Sequence, residues 1–464
     1  MEEYSLCNSY VCLPKFSFNL LVAQGCLYHI SLGLVMQVES PYQKPWTIRQ
    51  LLWFRFFLVF FSLYIFPFPL GHVPGLHILT QWYTRIWHAV VPWVGAQVLK
   101  LDEPITIFFS GSGDKTYDYV FLLIAFTCSL VAARLWTLLA RQRRSHNQLL
   151  EVLRIYVRYY LGVMMLMYGM SKVFHLQMPS PSLLQLLQPL GDKSPMGLAW
   201  TYVGYSPAFS MFAGLSEVIG GMLLFFRRTT LLGALLVAIV MVNVMVMNFT
   251  FDIPVKLYAT LLVLMAVFLI APDTRRLLQV VLWNEATQPR RPYVFKLSRR
   301  WRIVALIVKI IFVGVIFGGD AYSSWRAVHT YGDRRPKPPL YGIFDVDRFV
   351  LRGDTLPPLT TDTKRWKQLI LQSPDYVHVK LMNDSLVYYP SSWDEATHRL
   401  SIKGTQNGKT VGMFTYKQSD TSELQLDGVL HKEGMVIHLR ERDLQTFRLL
   451  NNRFRWIQEY PFNR

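Results

Sequence analysis

Charged residues are scarce in this 464-residue chain, 17% against the roughly 25% of ordinary soluble proteins. That shortage, beside 52% hydrophobic residues, argues against a wholly soluble chain and excludes intrinsic disorder. Cysteine is scarcer still. Cys7, Cys12, Cys26 and Cys128 form no CxxC pair and no metal-ligand spacing, which excludes a disulfide scaffold. Cys128 reads as a small apolar residue within a hydrophobic run. The N-terminus lacks the basic segment and small-residue cleavage site of a removable signal peptide. Acidic residues are also short, 30 against 48 basic ones, and the resulting charge of +18 needs a cause.

The charge has a location. From Tyr331 onward there are 20 Lys+Arg against 16 Asp+Glu, and before it 28 against 14. The excess therefore sits in the apolar part, so a nucleic-acid partner loses its basis and membrane topology takes its place.

Seven stretches are long and apolar enough to cross a bilayer core of about 20 residues: 50–70, 117–139, 156–176, 207–226, 229–250, 254–271 and 301–319. An eighth, 16–38, is interrupted by Asn19, Gln24, Gly25, His29 and Gly33. Residues 1–49 are accordingly read as an N-terminal segment holding a weak extra span, a poor signal-like stretch, or an extension upstream of a start at Met36. Lysines and arginines alternate with the seven spans. Sixteen fall on the side of loops 140–155, 226–229 and 272–302, and only Arg85, Lys100, Lys115, Lys193 and Lys256 on the other. By the positive-inside rule, the side preceding residue 50 is cytoplasmic and the C-terminal domain is extracytoplasmic, periplasmic in a two-membrane cell. The expected organisation is two spans with an outer loop (50–139), a four-helix core (155–272), a basic loop and last span (273–319), a linker (320–339) and an outer domain (340–464).

The outer loop carries Trp82, Trp87, Val90, Val91, Trp93, Val94 and Val98 at helical spacing. Both an interfacial helix and a helix packed on the bundle fit that pattern. Gly111-Ser112-Gly113-Asp114 then forms a compact turn, which either caps the next helix through Asp114 or holds an anion on backbone N–H groups.

Beyond the proline-rich segment Gly332–Pro339 the period changes to two, as in Val377-His378-Val379-Lys380-Leu381. Short strands are expected at 377–381, 386–389, 398–404, 410–417, 423–430, 433–440, 444–450 and 453–458. They imply an antiparallel meander curled into a barrel or half-barrel. His378, His398, His431 and His438 are scattered over these strands without carboxylate or cysteine partners, so no metal site is expected.

Ionisable groups inside spans mark candidate sites. Glu217 lies ten residues from Pro207, about 15 Å at 1.5 Å per residue, near mid-bilayer. A carboxylate there needs a partner, and Lys172 on the preceding span is the best placed. Tyr168 lies one turn before Lys172 and His175 three residues after it. Asn243 is near mid-membrane on the following span, with Asn248, Asp252 and Lys256 toward its outer end. Together Tyr168, Lys172, His175, Glu217, Asn243 and Asn248 make either a polar pocket open to the outside or structural glue that sets helix pairing. Arg55 and Arg158 are less informative, since both lie within about two turns of the cytoplasmic face and can snorkel.

Around these residues the stretch from about 155 to 272 resembles the DoxX-like integral membrane proteins. The resemblance rests on Gly169-Met170-Ser171-Lys172, on Glu217-Val218-Ile219-Gly220-Gly221, on the basic turn Arg227-Arg228-Thr229, and on a third helix containing Asn243. Phe225-Phe226 replaces a glycine frequent before that turn. The resemblance implies a four-helix membrane bundle, with Lys172 and Glu217 as its polar pair. Some members of the family are subunits of a thiosulfate:quinone oxidoreductase, and others are linked to redox stress or to electron supply for periplasmic enzymes.

Two functions stand side by side. One is a quinone-linked redox subunit, with Lys172 or Tyr168 donating to the headgroup and Glu217 exchanging a proton. No haem-ligand pair or iron–sulfur spacing is present, so electrons would come from a redox partner protein. The other is a non-enzymatic scaffold or ligand-binding protein, acting through its outer β-domain on a lipid, an envelope protein or a small ligand. Transport lacks the broken helices and repeated halves that would support it.

Overall fold

The computed structural model describes residues 46–72, 78, 80–140, 145–288, 295, 298–404, 409–420, 422–452 and 454–461. The expected weak span at 16–38, Met36, and the arginines of 141–144 and 290–291 lie outside the described residues. Among the described residues six helices are long and apolar enough to cross a membrane, and the chain is a membrane protein with a C-terminal β-barrel.

The first, α1 (Ile48–Ile65), opens on a capping box. Thr47 Oγ1 accepts from the Gln50 N–H, and the Gln50 side chain accepts from the Thr47 N–H. It packs against α3 (Thr116–Leu139). Arg55 does not snorkel. It is buried at this contact, donating to Thr137 Oγ1 at 2.7 Å with its guanidinium over the Trp136 ring, because two packed helices enclose it before it reaches water. Between α1 and α3, α2 (Gln81–Gln97) packs on α3 with one face. Val91 and Gly95 are buried and Trp87 meets Phe121 edge-on, while Trp82 and Trp93 stay exposed.

The bundle proper is a ring of four helices, α4 (Asn147–Val173), α7 (Pro207–Leu224), α8 (Thr230–Thr250) and α9 (Lys256–Ile270), each packed on the next and α9 back on α4. The expected span at 156–176 corresponds to α4, which is not among the six apolar helices. Its Glu151, Arg154, Arg158 and Lys172 lower its apolarity, and it lies at the centre of the bundle with Val157, Leu161, Val163, Met165 and Leu166 fully enclosed. Two short helices, α5 (Leu183–Leu187) and α6 (Pro195–Tyr205), join α4 to α7. A 3-10 turn leads α9 into α10 (Thr274–Val281). The last long helix, α11 (Arg299–Thr330), runs past the expected boundary at 319. It touches the core through Phe312, Val313 and Ile316 and leaves most of its isoleucines and valines exposed, as a lipid-facing helix does.

The C-terminal domain is an antiparallel meander of nine strands: β1 (Gly342–Leu351), β2 (Asp354–Thr355), β3 (Trp366–Ser373), β4 (Tyr376–Leu381), β5 (Leu386–Asp394), β6 (Arg399–Lys403), β7 (Thr410–Asp420), β8 (Glu423–Leu430) and β9 (Glu433–Glu441). β9 pairs back onto β1, from Phe344 opposite Glu441 to Leu351 opposite Met435. The eight long strands thus close a barrel, with β2 as a short extra hairpin. Phe349, Leu369, Phe414, Leu426 and Ile437 are fully buried and fill the interior, as expected for eight strands. Among the described residues, no strand forms at the expected 444–450 and 453–458. A 3-10 turn and α12 (Arg448–Asn451) follow β9 instead, because closure on β1 leaves no open edge for another strand. The strands missing from the sequence-based expectation are β1, the two-residue β2, and β3.

The barrel sits on the α4–α7 connection. Leu183 of α5 packs with Ile343 and Ile370 on the outer surface of β1 and β3. Arg335 donates to the Gln372 carbonyl at 2.9 Å.

Candidate functional site

Lys172, near the end of α4, and Glu217, in the middle of α7, meet because glycines let the two backbones approach. A Cβ on Gly169 would lie 2.8 Å from the Gly214 carbonyl oxygen, and one on Gly214 would lie 2.6 Å from that of Gly169. Seven residues away along each helix, Gly162 and Gly221 repeat the contact, with a Cβ on Gly221 falling 2.9 Å from the Gly162 oxygen. Small residues at a helix crossing permit this close packing in a membrane. The lysine Nζ then lies 2.8 and 2.9 Å from the two Glu217 carboxylate oxygens. The residues are only 6% and 1% exposed, so each charge has the other as its substitute for water. Ser210 Oγ donates to the Lys172 carbonyl at 2.9 Å and holds that turn in place.

The pair borders a small chamber of about 60 Å³, lined also by Tyr168, Trp200, Asn248 and Tyr258. It has room for a few waters at most. Tyr168, Tyr258 and Val255 also line a cleft of about 620 Å³, with Tyr64, Tyr83, Tyr117, Tyr160, Trp87 and His88 around it. That volume lies in the range of small-molecule sites, and six tyrosines, with Thr84, His88, Ser112 and Asp118, offer polar groups in a largely apolar wall. The Tyr160 and Tyr258 hydroxyls are 3.3 Å apart, and the Tyr168 and Tyr258 ring centroids 5.9 Å.

The turn Gly111-Ser112-Gly113-Asp114 lies on the rim of this cleft and caps a helix, though not the next one. Asp114 accepts from the N–H groups of Lys256 and Leu257 at 2.9 and 3.0 Å, so it caps α9. The Gly113 N–H donates to the Pro254 carbonyl, and that of Asp114 to Ser112 Oγ, which leaves these two donors engaged rather than aimed at an anion. Its own helix α3 is served by Asp118, which accepts from the Lys115 N–H.

Of the residues expected to share one pocket, Tyr168, Lys172, Glu217 and Asn248 do. Asn248 is buried and donates to the Val255 carbonyl at 3.2 Å. His175 does not join them. The chain turns there with φ +56°, and Nδ1 meets Asp333 at 2.6 Å, on the link to the barrel. Asn243 is exposed on the outside of α8, because the helical period that buries Met241 and Asn248 carries it to the opposite face. Tyr160, Tyr258, Trp200 and Ser210 were not anticipated. The legible hint was a tyrosine within an otherwise apolar span, as at Tyr258.

A sequence profile of the DoxX family matches residues 153–251, from the body of α4 through α7 to the end of α8. The matched stretch contains Lys172, Glu217 and both pairs of seam glycines, whereas Tyr258 and the barrel lie beyond it. An uncharacterized protein, YwoB of Bacillus subtilis (strain 168), is 35% identical over 83 residues, which cover 18% of this chain and 54% of that protein. The chain thus spans about half the length of the curated relative it matches. No solved structure matches.

Proposed function

We propose that this membrane protein uses its DoxX bundle to hold a lipophilic, hydrogen-bonding ring compound of the quinone class in the tyrosine-lined cleft, as a redox subunit that exchanges electrons with a partner protein. The observation that carries the reading is that Tyr168, Val255 and Tyr258 line both the cleft of about 620 Å³ and the Lys172–Glu217 chamber, which makes the two neighbours. A ring does not fit the chamber of about 60 Å³ beside the ion pair, so the cleft is the part that suits it. There the hydroxyls of Tyr168, Tyr258 and Tyr160 would bind and orient carbonyl oxygens. When bound, a quinone would supply the electron and proton acceptor. Lys172 and Glu217, behind Tyr168, would keep a fixed charge pair and a proton-exchanging carboxyl within the bundle. The basic loops would face the cytoplasm and the barrel the periplasm.

The test is quinone extraction from the full-length protein purified in detergent. Native protein should retain quinone, and Tyr168→Phe and Tyr258→Phe should each lower its affinity by about two- to tenfold, the worth of one hydrogen bond, with unchanged melting. Absence of bound quinone, together with no binding of an added short-chain quinone, would remove this reading. A reporter active only in the periplasm, fused after Arg464, should work if the orientation is right.

A second reading, a non-enzymatic scaffold, draws on the end of the chain, where Phe454, Trp456, Ile457 and Tyr460 are exposed after the barrel closes. With the barrel interior filled by side chains, such a scaffold would act through its outer surface on a lipid or an envelope protein.

A further inference from the structure

At the opposite end of the bundle from the barrel, a cleft of about 390 Å³ gathers five arginines against two carboxylates. Arg154 and Arg158 come from α4, Arg227 and Arg228 from the turn between α7 and α8, and Arg276 from α10. The carboxylates are Glu151 and Asp273, and Asp273 is taken by Arg276 at 2.7 Å. Lys309 adds a further cation nearby, its Nζ 4.4 Å from the centroid of the Phe226 ring. Arg158 donates to Thr230 Oγ1 at 3.1 Å, yet its Nε is buried without a hydrogen-bond partner among the described residues, as is the Nε of Arg276. Buried guanidinium N–H groups without acceptors are costly, and like charges crowded in one concavity repel. An anion with several acceptor oxygens, bound in the cleft, relieves the repulsion.

We propose that this cleft binds a phosphate group. The planar fork of arginine matches phosphate oxygens in pairs, which makes arginine the residue suited to this recognition. The floor is apolar at Ile155, Leu231 and Leu269. Beside it, α10 and the residues after it expose Leu278, Val281, Leu282 and Trp283, a combination that suits the boundary between headgroups and acyl chains. The phosphate has two available sources, the headgroup of an anionic phospholipid and free inorganic phosphate. The site is separate from the tyrosine cleft and does not depend on the function proposed above.

Native mass spectrometry of the full-length protein in detergent tests it, with phosphatidylglycerol and phosphatidylcholine of matched acyl chains offered at equal concentration. Each arginine near such a surface contributes on the order of fivefold, so phosphatidylglycerol should be retained at least about tenfold over phosphatidylcholine. The triple variant Arg227→Gln, Arg228→Gln, Arg276→Gln should lose that preference. If the triple variant fails to fold, Arg227→Gln with Arg228→Gln, both exposed positions, carries the test. The control is Arg299→Gln, Arg300→Gln, Arg302→Gln, which removes the same charge from the exposed start of α11 and should retain the preference. Inorganic phosphate is the second arm. Displacement of the lipid, or a phosphate adduct that disappears with the cleft arginines, assigns the site to free phosphate, and an undisturbed lipid adduct assigns it to the headgroup. Equal retention of both lipids with no phosphate adduct, or equal loss in the control variant, overturns the proposal.

Discussion

The amine of Lys172 and the carboxylate of Glu217 would each be costly among the leucines and methionines of the bundle, and each is tolerable because the other is within 2.9 Å. Replacing one partner strands the other. Lys172→Met or Glu217→Gln alone should therefore destabilise the bundle by about 3–5 kcal/mol, and the double variant by clearly less than the sum. Thermal unfolding of the four proteins of this cycle checks it, and strict additivity would mean that the pair is not coupled. Both residues were legible in the sequence because a charge inside an apolar span is conspicuous. Asn243 was misplaced, since a position along a helix does not tell which neighbours surround it.

In the barrel, burial pushes the His378 imidazole below its ordinary value of 6.5, while hydrogen bonds from Lys367 and then Lys380 hold the Asp384 carboxyl below 3.8. Below about pH 6.5 the unfolded chain takes up a proton that folded His378 refuses, so stability falls as pH drops through that value. The Asp384 contribution is present above pH 3.8 and is lost as pH falls through the lower folded value. Melting of the barrel between pH 8 and pH 3 should thus decline in two stages, and His378→Gln should abolish the upper one.

Among the elements, contacts distant in sequence decided what local signals left open. The Gly-Ser-Gly-Asp turn has the composition of a cap, and only the fold directs Asp114 to α9, more than 140 residues away, rather than to α3. Asp114→Ala should cost about 0.5–2 kcal/mol by freeing two helix N–H groups, and should speed hydrogen exchange at Lys256 and Leu257. Unchanged exchange there would show that the cap contributes nothing. Similarly, alternation in 377–381 and 423–430 announced strands, since one face of each is buried in the barrel. At β1, Asp345 and Asp347 blur that alternation, and their partners Arg442 and Arg440 come from the far end of the domain.

As a whole, the molecule joins a lipid-embedded bundle to a water-facing barrel by a small junction. Leu183 against Ile343 and Ile370 supplies its apolar part, and Asp333, bonded to His175 and Ser180, its polar part. Leu183→Asp should loosen this docking, seen as faster proteolysis between Tyr331 and Tyr341 while the barrel's own melting holds. Equal protease resistance would place the main contact elsewhere.

The sequence by itself determined that the chain lives in a membrane, where its basic excess lies and which two charges break the apolar pattern. Hydrophobic length and charge placement are properties of the chain against its solvent and need no partner to be read. Tertiary structure alone decided that β9 closes on β1, that His175 serves the barrel junction, and that tyrosines from five helices and the turn before α3 meet over one cleft. Each of these depends on which distant segments become neighbours, and local periodicity carries no record of that.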